Sequence, residues 1–408
     1  MSVLHALRPS LPILIGASVM LSLAMGVRQS LGIFMPPLTR DIGIAVSDFT
    51  LAIAVQNLAW GLLQPLAGAW AVRIGMRRLM VGGALLYLMG LVLLATSGGF
   101  TSVLLGAGVA IGAAMACNGS AIALAAASRP VPVAVRSVVL GVVSAAGSIG
   151  AMIAAPIGQV LAQGFGWRVG VWGFVVLALL MVPAAWHAGR VDELPLTHKA
   201  GEGDRARDAL ALALRNPLFV VMALTYFVCG MQLVFLTTHL PSYLAICGMD
   251  PMLSAQALGV IGAFNALGSL FFGWAGGRWP KLVLLGGIYT LRSLVLAWYF
   301  MAPPTPEGTL VFAAIMGFLW LGVAPLVSGW IADTFGLRWQ AMLGGVAFVG
   351  HQLGSFVGAW GGGLIYDWAG SYTLAWQAGV AVGLTAGIVQ AGFAWSRGGG
   401  RPPLAAAG

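Results

Sequence analysis

The sequence predicts an all-α membrane protein, with twelve transmembrane helices in two pseudo-symmetric six-helix halves. Three observations predict it. The chain holds about twelve stretches of roughly 17 to 25 mostly apolar residues, each long enough to cross the ~30 Å hydrocarbon core as a helix. Only 8% of its 408 residues are charged and its mean hydropathy is +0.95, whereas a soluble domain carries about 25% charged residues. Comparison of the chain with itself at an offset of half its 408 residues also reveals an internal repeat.

In chain order the stretches run 11–38, 49–71, 79–97, 101–125, 137–163, 167–187, 217–245, 254–277, 281–301, 306–331, 342–365 and 372–394. His5 and Arg8 ahead of the first one resemble a signal peptide. It reads instead as a retained helix, because its removal would make the helix count odd and reverse the side of every basic loop. Residues 1–187 form the first six-helix half and 217–408 the second. The polar interval 188–216 is the loop between them, and its Ala-rich stretch Asp204–Leu214 suits an amphipathic helix on the membrane surface.

The repeat maps Gly141, Gly150, Gly158 and Gly166 onto Gly345, Gly354, Gly362 and Gly370, Gly82-Gly83 onto Gly286-Gly287, and Pro37 onto Pro241. Two halves so related are expected to enclose a substrate path at their interface, near the bilayer midplane. The 59 glycines include spacings such as Gly354/Gly358/Gly362, which let helix backbones approach closely. Tight packing alone accounts for such faces; helices that slide or rock would use them too.

A net charge of +9 and a pI near 10.1 suggest nucleic-acid binding, but the distribution excludes it. With the N-terminus inside, sixteen Lys and Arg residues fall on the cytoplasmic side, against Arg40 and Arg168 outside. That is the positive-inside bias of a multi-pass protein of the cell (inner) membrane with both termini cytoplasmic. The basicity is used in orientation, and no nucleic-acid partner is expected. Cys117, Cys229 and Cys247 form no disulfide framework.

The loop after the second helix reads Gly68-Ala-Trp-Ala-Val72-Arg73-Ile-Gly75-Met-Arg77-Arg78. It resembles the G-x-x-x-D-[RK]-x-G-x-[RK]-[RK] signature of the major facilitator superfamily, and a degraded copy, Gly273-Trp-Ala-Gly-Gly277-Arg278-Trp-Pro-Lys281, occupies the matching place in the second half. Arg73, Gly75, Arg77 and Arg78 match this conformational motif. Val72 stands where the family has Asp, and Asp333 is a candidate for an analogous contact. The first helix, Arg28-Gln29-Ser30-Leu-Gly32-Ile-Phe34-Met-Pro36-Pro37-Leu38, is similar to the S-x-G-x-F-x-P-P-L pattern of the monocarboxylate and oxalate/formate transporter-like branch. The acidic [DE]-G-G-W-type opening of animal monocarboxylate carriers is missing, and Asn265 and Ser269 stand where those carriers place a charged pair. The resemblance implies alternating access, with a cavity between helices 1, 2, 4, 5 and 7, 8, 10, 11.

An ionisable side chain at membrane depth costs roughly 2.5–3.5 kcal/mol even on the lenient insertion scale, so each one points to function. Here they are Arg28, Arg292, His351 and, nearer an outer end, His239, while all eleven acids lie in loops or at helix ends. Buried arginine without buried carboxylate points to an anionic substrate, since the guanidinium fork matches a carboxylate bidentately. At the repeat offset Arg28 maps onto Gln232, which suggests an Arg/Gln pair at equivalent depth. Arg28 is either a substrate ligand or a structural residue bonding helix-end carbonyls, and Arg292, on a helix the resemblance makes peripheral, leans to the structural role. His351, ~14 Å into its helix at 1.5 Å per residue, is a proton-coupling or a packing histidine, and His239 is a second, weaker coupling candidate. Asn57, Asn118, Asn265 and Gln352 are pore residues or interhelical hydrogen bonds.

The functional expectation is a monomeric secondary transporter of a small, monocarboxylate-like organic anion, coupled to protons. The alternative is an exporter of amphipathic drugs or siderophore-like compounds, with Trp60, Trp320 and Trp360 lining its cavity. No catalytic constellation, metal site or cofactor motif is visible, so an enzyme is not expected. A channel lacks its ring-forming filter sequence.

Overall fold

A computed structural model describes residues 8–195, 205–301 and 303–397. Among them twelve helices are long and apolar enough to span a membrane: Arg8–Ile42, Ser47–Ile74, Met76–Ala95, Phe100–Ser128, Val133–Phe165, Trp167–Glu193, Pro217–Ile246, Met252–Ala275, Lys281–Phe300, Pro306–Phe335, Gln340–Tyr366 and Thr373–Ser396. They are called spans 1 to 12 below. Each coincides with a predicted apolar stretch, and most run a few residues further. Helical hydrogen bonding does not stop where the hydrocarbon does, and polar residues continue it into the headgroup layer. Span 6 thus carries on into the interval assigned to the inter-half loop, ending at Glu193.

Beyond it, a helix at Ala206–Arg215 buries Ala209 and Ala213 and exposes its charged face. Residues 196–204, among them the Asp204 that opens the predicted amphipathic stretch, lie outside the described residues. Span 7 starts sharply because Asn216 caps it, accepting from the Leu218 N–H at 3.0 Å, with Pro217 in the first helical position, where its missing N–H costs nothing.

The chain divides into two compact units, and each takes a short piece from the other's stretch of sequence. The first comprises the described residues of 1–132, 142–202 and 335–345, the second those of 133–141, 203–334 and 346–408. The opening of span 5 therefore packs in the second unit, where Arg136 pairs with Asp333 at 3.4 Å. The opening of span 11 packs in the first, where Gln340 Nε2 donates to Ser128 Oγ at 2.9 Å. Both exchanges occur at positions related by the sequence repeat.

The first unit's core is closed by Phe34 edge-on to Phe174, with ring centroids 5.1 Å apart, and by the Tyr87 hydroxyl donating to the Ala24 carbonyl at 2.9 Å. The second unit's core is aromatic, with Tyr299 stacked on Phe312 and Phe300 on Trp376 beside Phe235 and Trp320. Two glycines set helix separations. A Cβ at Gly150 would run into the Ser22 backbone carbonyl, and one at Gly354 into that of Phe227, so spans 1 and 5, and spans 7 and 11, touch backbone to backbone.

Gly354→Val should therefore cost about 1–3 kcal/mol or more through overpacking, lowering the melting temperature. Gly392→Val, where an added Cβ meets nothing within 4 Å, should leave it nearly unchanged. Thermal unfolding of the purified variants decides this, and equal melting temperatures would refute the close approach.

Candidate functional site

In the first unit, Arg28 sits in the last turn of the helix Leu11–Ser30, just before the chain tightens to a 3-10 turn over Leu31–Phe34. It is half-buried. Its Nη2 donates to Asn57 Oδ1, and the guanidinium carbon lies 4.9 Å from the centre of the Trp60 ring. Asn57, Trp60 and Gln64 follow one another at helical spacing on span 2, and each is held. Asn57 Nδ2 donates to the Ile53 carbonyl at 3.1 Å, Trp60 Nε1 to Gln64 Oε1 at 2.9 Å, and Gln64 Nε2 to the Ala116 carbonyl at 2.9 Å. Arg28 thus meets an amide and an aromatic face, both neutral. Its Nε has no partner, and it enters no ion pair among the described residues.

Asn118 ends the first helical segment of span 4, fully buried, with neither amide atom bonded among the described residues. Its neighbour Gly119 abuts the indole nitrogen of Trp60, since a Cβ there would stand 3.0 Å from it. The structure thus gathers Arg28, Asn57 and Trp60 at the middle of span 2, with Gly119 against the Trp60 ring, while the Asn118 amide itself lies against Gly83 of span 3.

Other polar groups gather in the second unit. Arg292 is fully buried, with Nη1 3.2 Å from Cys229 Sγ and with Nε and Nη2 unpartnered among the described residues. His351 is half-buried, stacked on Phe348 and edge-on to Tyr226. Its Nδ1 stands 3.2 Å from Gln352 Oε1, and its ring reaches the same Cys229 sulfur. Gln232 donates to Ser293 Oγ and to the Gly379 carbonyl, both at 3.0 Å, so its hydrogens are used inside the unit. His239 is buried, with Nε2 2.9 Å from the Ala359 carbonyl and Nδ1 3.3 Å from the Tyr372 hydroxyl. Asn265 Oδ1 accepts from the Leu321 N–H at 2.8 Å, at the interruption between the helices Pro306–Trp320 and Val323–Phe335 of span 10. That bond repairs a broken helix.

The motif residues surround a pocket at one end of the first unit. Gly75 adopts φ +89°, a left-handed conformation that only glycine takes without strain, and span 3 starts directly after it. Asp192 of span 6 accepts from the Met76 and Arg77 N–H groups, both at 2.9 Å, and so caps span 3. Arg77 pairs with Glu193 at 2.6 Å and lies over the Trp186 ring. Arg129 Nη1 is 3.9 Å from Asp192. Burial pushes this guanidinium below its ordinary range, and the carboxylate pulls it back up. Arg73 and Arg78 are exposed at the rim. Asp333 pairs in the second unit with Lys281 at 2.8 Å as well as with Arg136.

Sequence reasoning passed over two of these groups. Asp192 acts on a helix 116 positions earlier in the chain, which no local pattern reveals. Cys229, set aside once disulfides were excluded, turns out to be the contact of a buried arginine. Its place three residues before Gln232, on the same side of the helix, was the available signal.

The model of the Major Facilitator Superfamily matches residues 17–359. Monocarboxylate transporter 13 of Rattus norvegicus is 25% identical over 324 residues, covering 77% of this chain and 72% of its own. The Bos taurus protein of the same name is 25% identical over 326 residues, covering 77% and 73%. Among solved structures, the fucose:proton symporter of E. coli superposes with a TM-score of 0.73 at 16% identity, covering 94% of this chain and 98% of that one. A proton:xylose symporter bound to 6-bromo-6-deoxy-D-glucose superposes with a TM-score of 0.71 at 13% identity, covering 95% of each. The structural likenesses establish the fold.

Removing the acceptor of Asn265 should leave the half-buried Leu321 N–H unsatisfied, at a cost of up to about 1–3 kcal/mol. Asn265→Ala is accordingly expected to melt lower, and Asn265→Asp, which keeps an acceptor, to lose less. If both variants melt with the parent, the residue does not hold span 10.

Proposed function

This chain belongs to the Major Facilitator Superfamily, a transporter and not an enzyme, and we propose that it moves a small, monocarboxylate-like organic anion by alternating access, coupled to protons. One observation carries the reading. Arg28 is a half-buried, permanently charged group inside a membrane span whose partners among the described residues are all neutral. A guanidinium in that setting lacks a counter-charge, and a substrate carboxylate supplies one in bidentate geometry. The similarity to monocarboxylate transporters named above supports the same substrate class.

Asn57 orients the guanidinium and Trp60 covers one face of it; Asn118, whose neighbour Gly119 abuts Trp60, keeps both amide atoms unbonded among the described residues. Gln232 has no hydrogen left to give, so the anion is assigned to Arg28 without it. Arg292, enclosed on all sides, is read as structural. His351 is the coupling candidate, because it is half-buried, carries an imidazole that can take up and release a proton, and touches Cys229 beside Arg292. A proton arriving there raises the positive charge of the cluster, which favours an anion. His239, locked between a carbonyl and a phenol, is a packing group.

The exporter alternative is weaker. Trp320 is packed into the second unit's core, Trp360 is exposed beside Phe356, and Trp60 is occupied by Arg28.

Arg28→Ala should lose carboxylate binding by about 2–5 kcal/mol, the usual cost of truncating one partner of a buried charge pair. Arg28→Lys should also be poor, because a point charge does not reproduce the fork. Uptake of labelled monocarboxylates into proteoliposomes measures both, and an Arg28→Ala protein that folds and binds as tightly as the parent removes the mechanism. In the same assay His351→Gln should keep binding but lose acceleration by an inward proton gradient. An unchanged pH dependence would move coupling to another group.

A further inference from the structure

The motif pocket at the end of the first unit has a volume of about 470 Å³, within the roughly 300–1,000 Å³ of small-molecule sites. Arg73, Arg77, Arg78 and Arg129 line it, with Asp192 as the one carboxylate in its wall among the described residues. That carboxylate is committed, since its two oxygens accept from the backbone of Met76 and Arg77. Glu193, just outside, is taken by Arg77. Among the described residues Arg73 and Arg78 enter no ion pair, and Arg129 has only the distant Asp192.

Arg129 shows the imbalance most sharply. Its side chain is only 6% exposed, its Nη1 stands a long 3.9 Å from Asp192, and its Nε and Nη2 have no hydrogen-bond partner among the described residues. Charged donors buried without acceptors are costly, and an anion that accepts from them removes that cost. Val72 also lines the pocket. The superfamily signature that this loop resembles has Asp at that position, so the chain carries a neutral side chain in the pocket wall where the signature carries a charge.

We propose that this pocket binds a phosphate group, and that the bound phosphate supplies the negative charge that position 72 lacks. Guanidinium forks suit phosphate oxygens, and several of them select phosphate over a single carboxylate. The pocket lies at the ends of spans 2, 3 and 6, at the level of lipid headgroups, and the charge bias of the loops assigns this end to the cytoplasmic face. An anionic phospholipid headgroup and a soluble phosphate ester both carry the required chemistry. The site is separate from the Arg28 substrate site, so it stands whatever the transported solute is.

The test uses the full-length purified protein with phosphatidylglycerol, phosphatidylcholine or inorganic phosphate. Native mass spectrometry reads retained lipid, and the melting temperature reads stabilisation. Phosphatidylglycerol or inorganic phosphate is expected to bind and to raise the melting temperature, and phosphatidylcholine not to. Val72→Asp, which places in the pocket the carboxylate that the signature carries there, should weaken that binding by about tenfold or more, the scale of a lost charge-assisted hydrogen bond. Arg129→Gln should do the same, and Val72→Asp remains informative if Arg129→Gln folds poorly. Displacement of the lipid by millimolar inorganic phosphate, or stabilisation by phosphate alone, assigns a soluble ligand; retention of the lipid against phosphate assigns the headgroup. Equal retention of both lipids without a phosphate effect, or binding unchanged in both variants, overturns the proposal.

Discussion

A hydrocarbon bilayer offers no water to a polar group, and the internal arrangement of this chain follows from how its twelve helices meet that demand. Hydroxyl groups turn back on their own helices, as Ser30 does to the Gly26 carbonyl at 2.8 Å and Thr290 to that of Gly286 at 2.9 Å. Amides reach across to neighbouring backbones, as Gln56 does to the Ala107 carbonyl at 2.6 Å and Gln64 to that of Ala116. Both bonds tie span 2 to span 4 while satisfying donor and acceptor. An arginine cannot be satisfied this way. Its charge persists, and neutral acceptors leave it uncompensated.

The two intramembrane arginines resolve this differently. Arg292 is wrapped completely, with a thiol at its tip and phenols beside it, and forms part of the interior that joins spans 7, 9 and 11. Arg28 is left half-open, steadied by Asn57 and Trp60. Rigid neutral support around a charge that remains partly accessible is the arrangement expected of a ligand site, because the donors are oriented before the ligand arrives. At the membrane surface the same accounting governs Asp192, Glu193 and Asp333. Each pairs with arginine or lysine; Asp192 and Glu193 fasten the ends of spans 3, 4 and 6 in the first unit, and Asp333 those of spans 5, 9 and 10 in the second.

The helices were legible because apolar run length is a direct readout of bilayer thickness. Their ends were less so, since a helix continues through Arg190, Asp192 and Glu193 without any apolar signal. Pro65, Pro156 and Pro241 lie inside spans rather than ending them, because neighbouring groups compensate for the missing hydrogen bonds. The interruption of span 10 gave no cue beyond Gly322. Arg28 and Asn57 were both candidates, but their pairing required the contact of spans 1 and 2. The expected Arg28/Gln232 pair followed from sequence symmetry alone, which does not register that Gln232 is already bonded to Ser293 and Gly379. Sequence exposes what a residue can do, and three-dimensional partners decide which of those capacities is already used.

The claim at the centre of this account is that the half-open arginine of span 1 makes the protein a binder of small anions. The most direct measurement is the melting temperature of the purified protein against a panel of monocarboxylates, amines and neutral sugars. A ligand at 100 times its dissociation constant stabilises the folded state by ~2.7 kcal/mol. Monocarboxylates should raise the melting temperature, and matched amines and sugars should not. Stabilisation by an amine or a sugar, with no response to any carboxylate, would contradict the account.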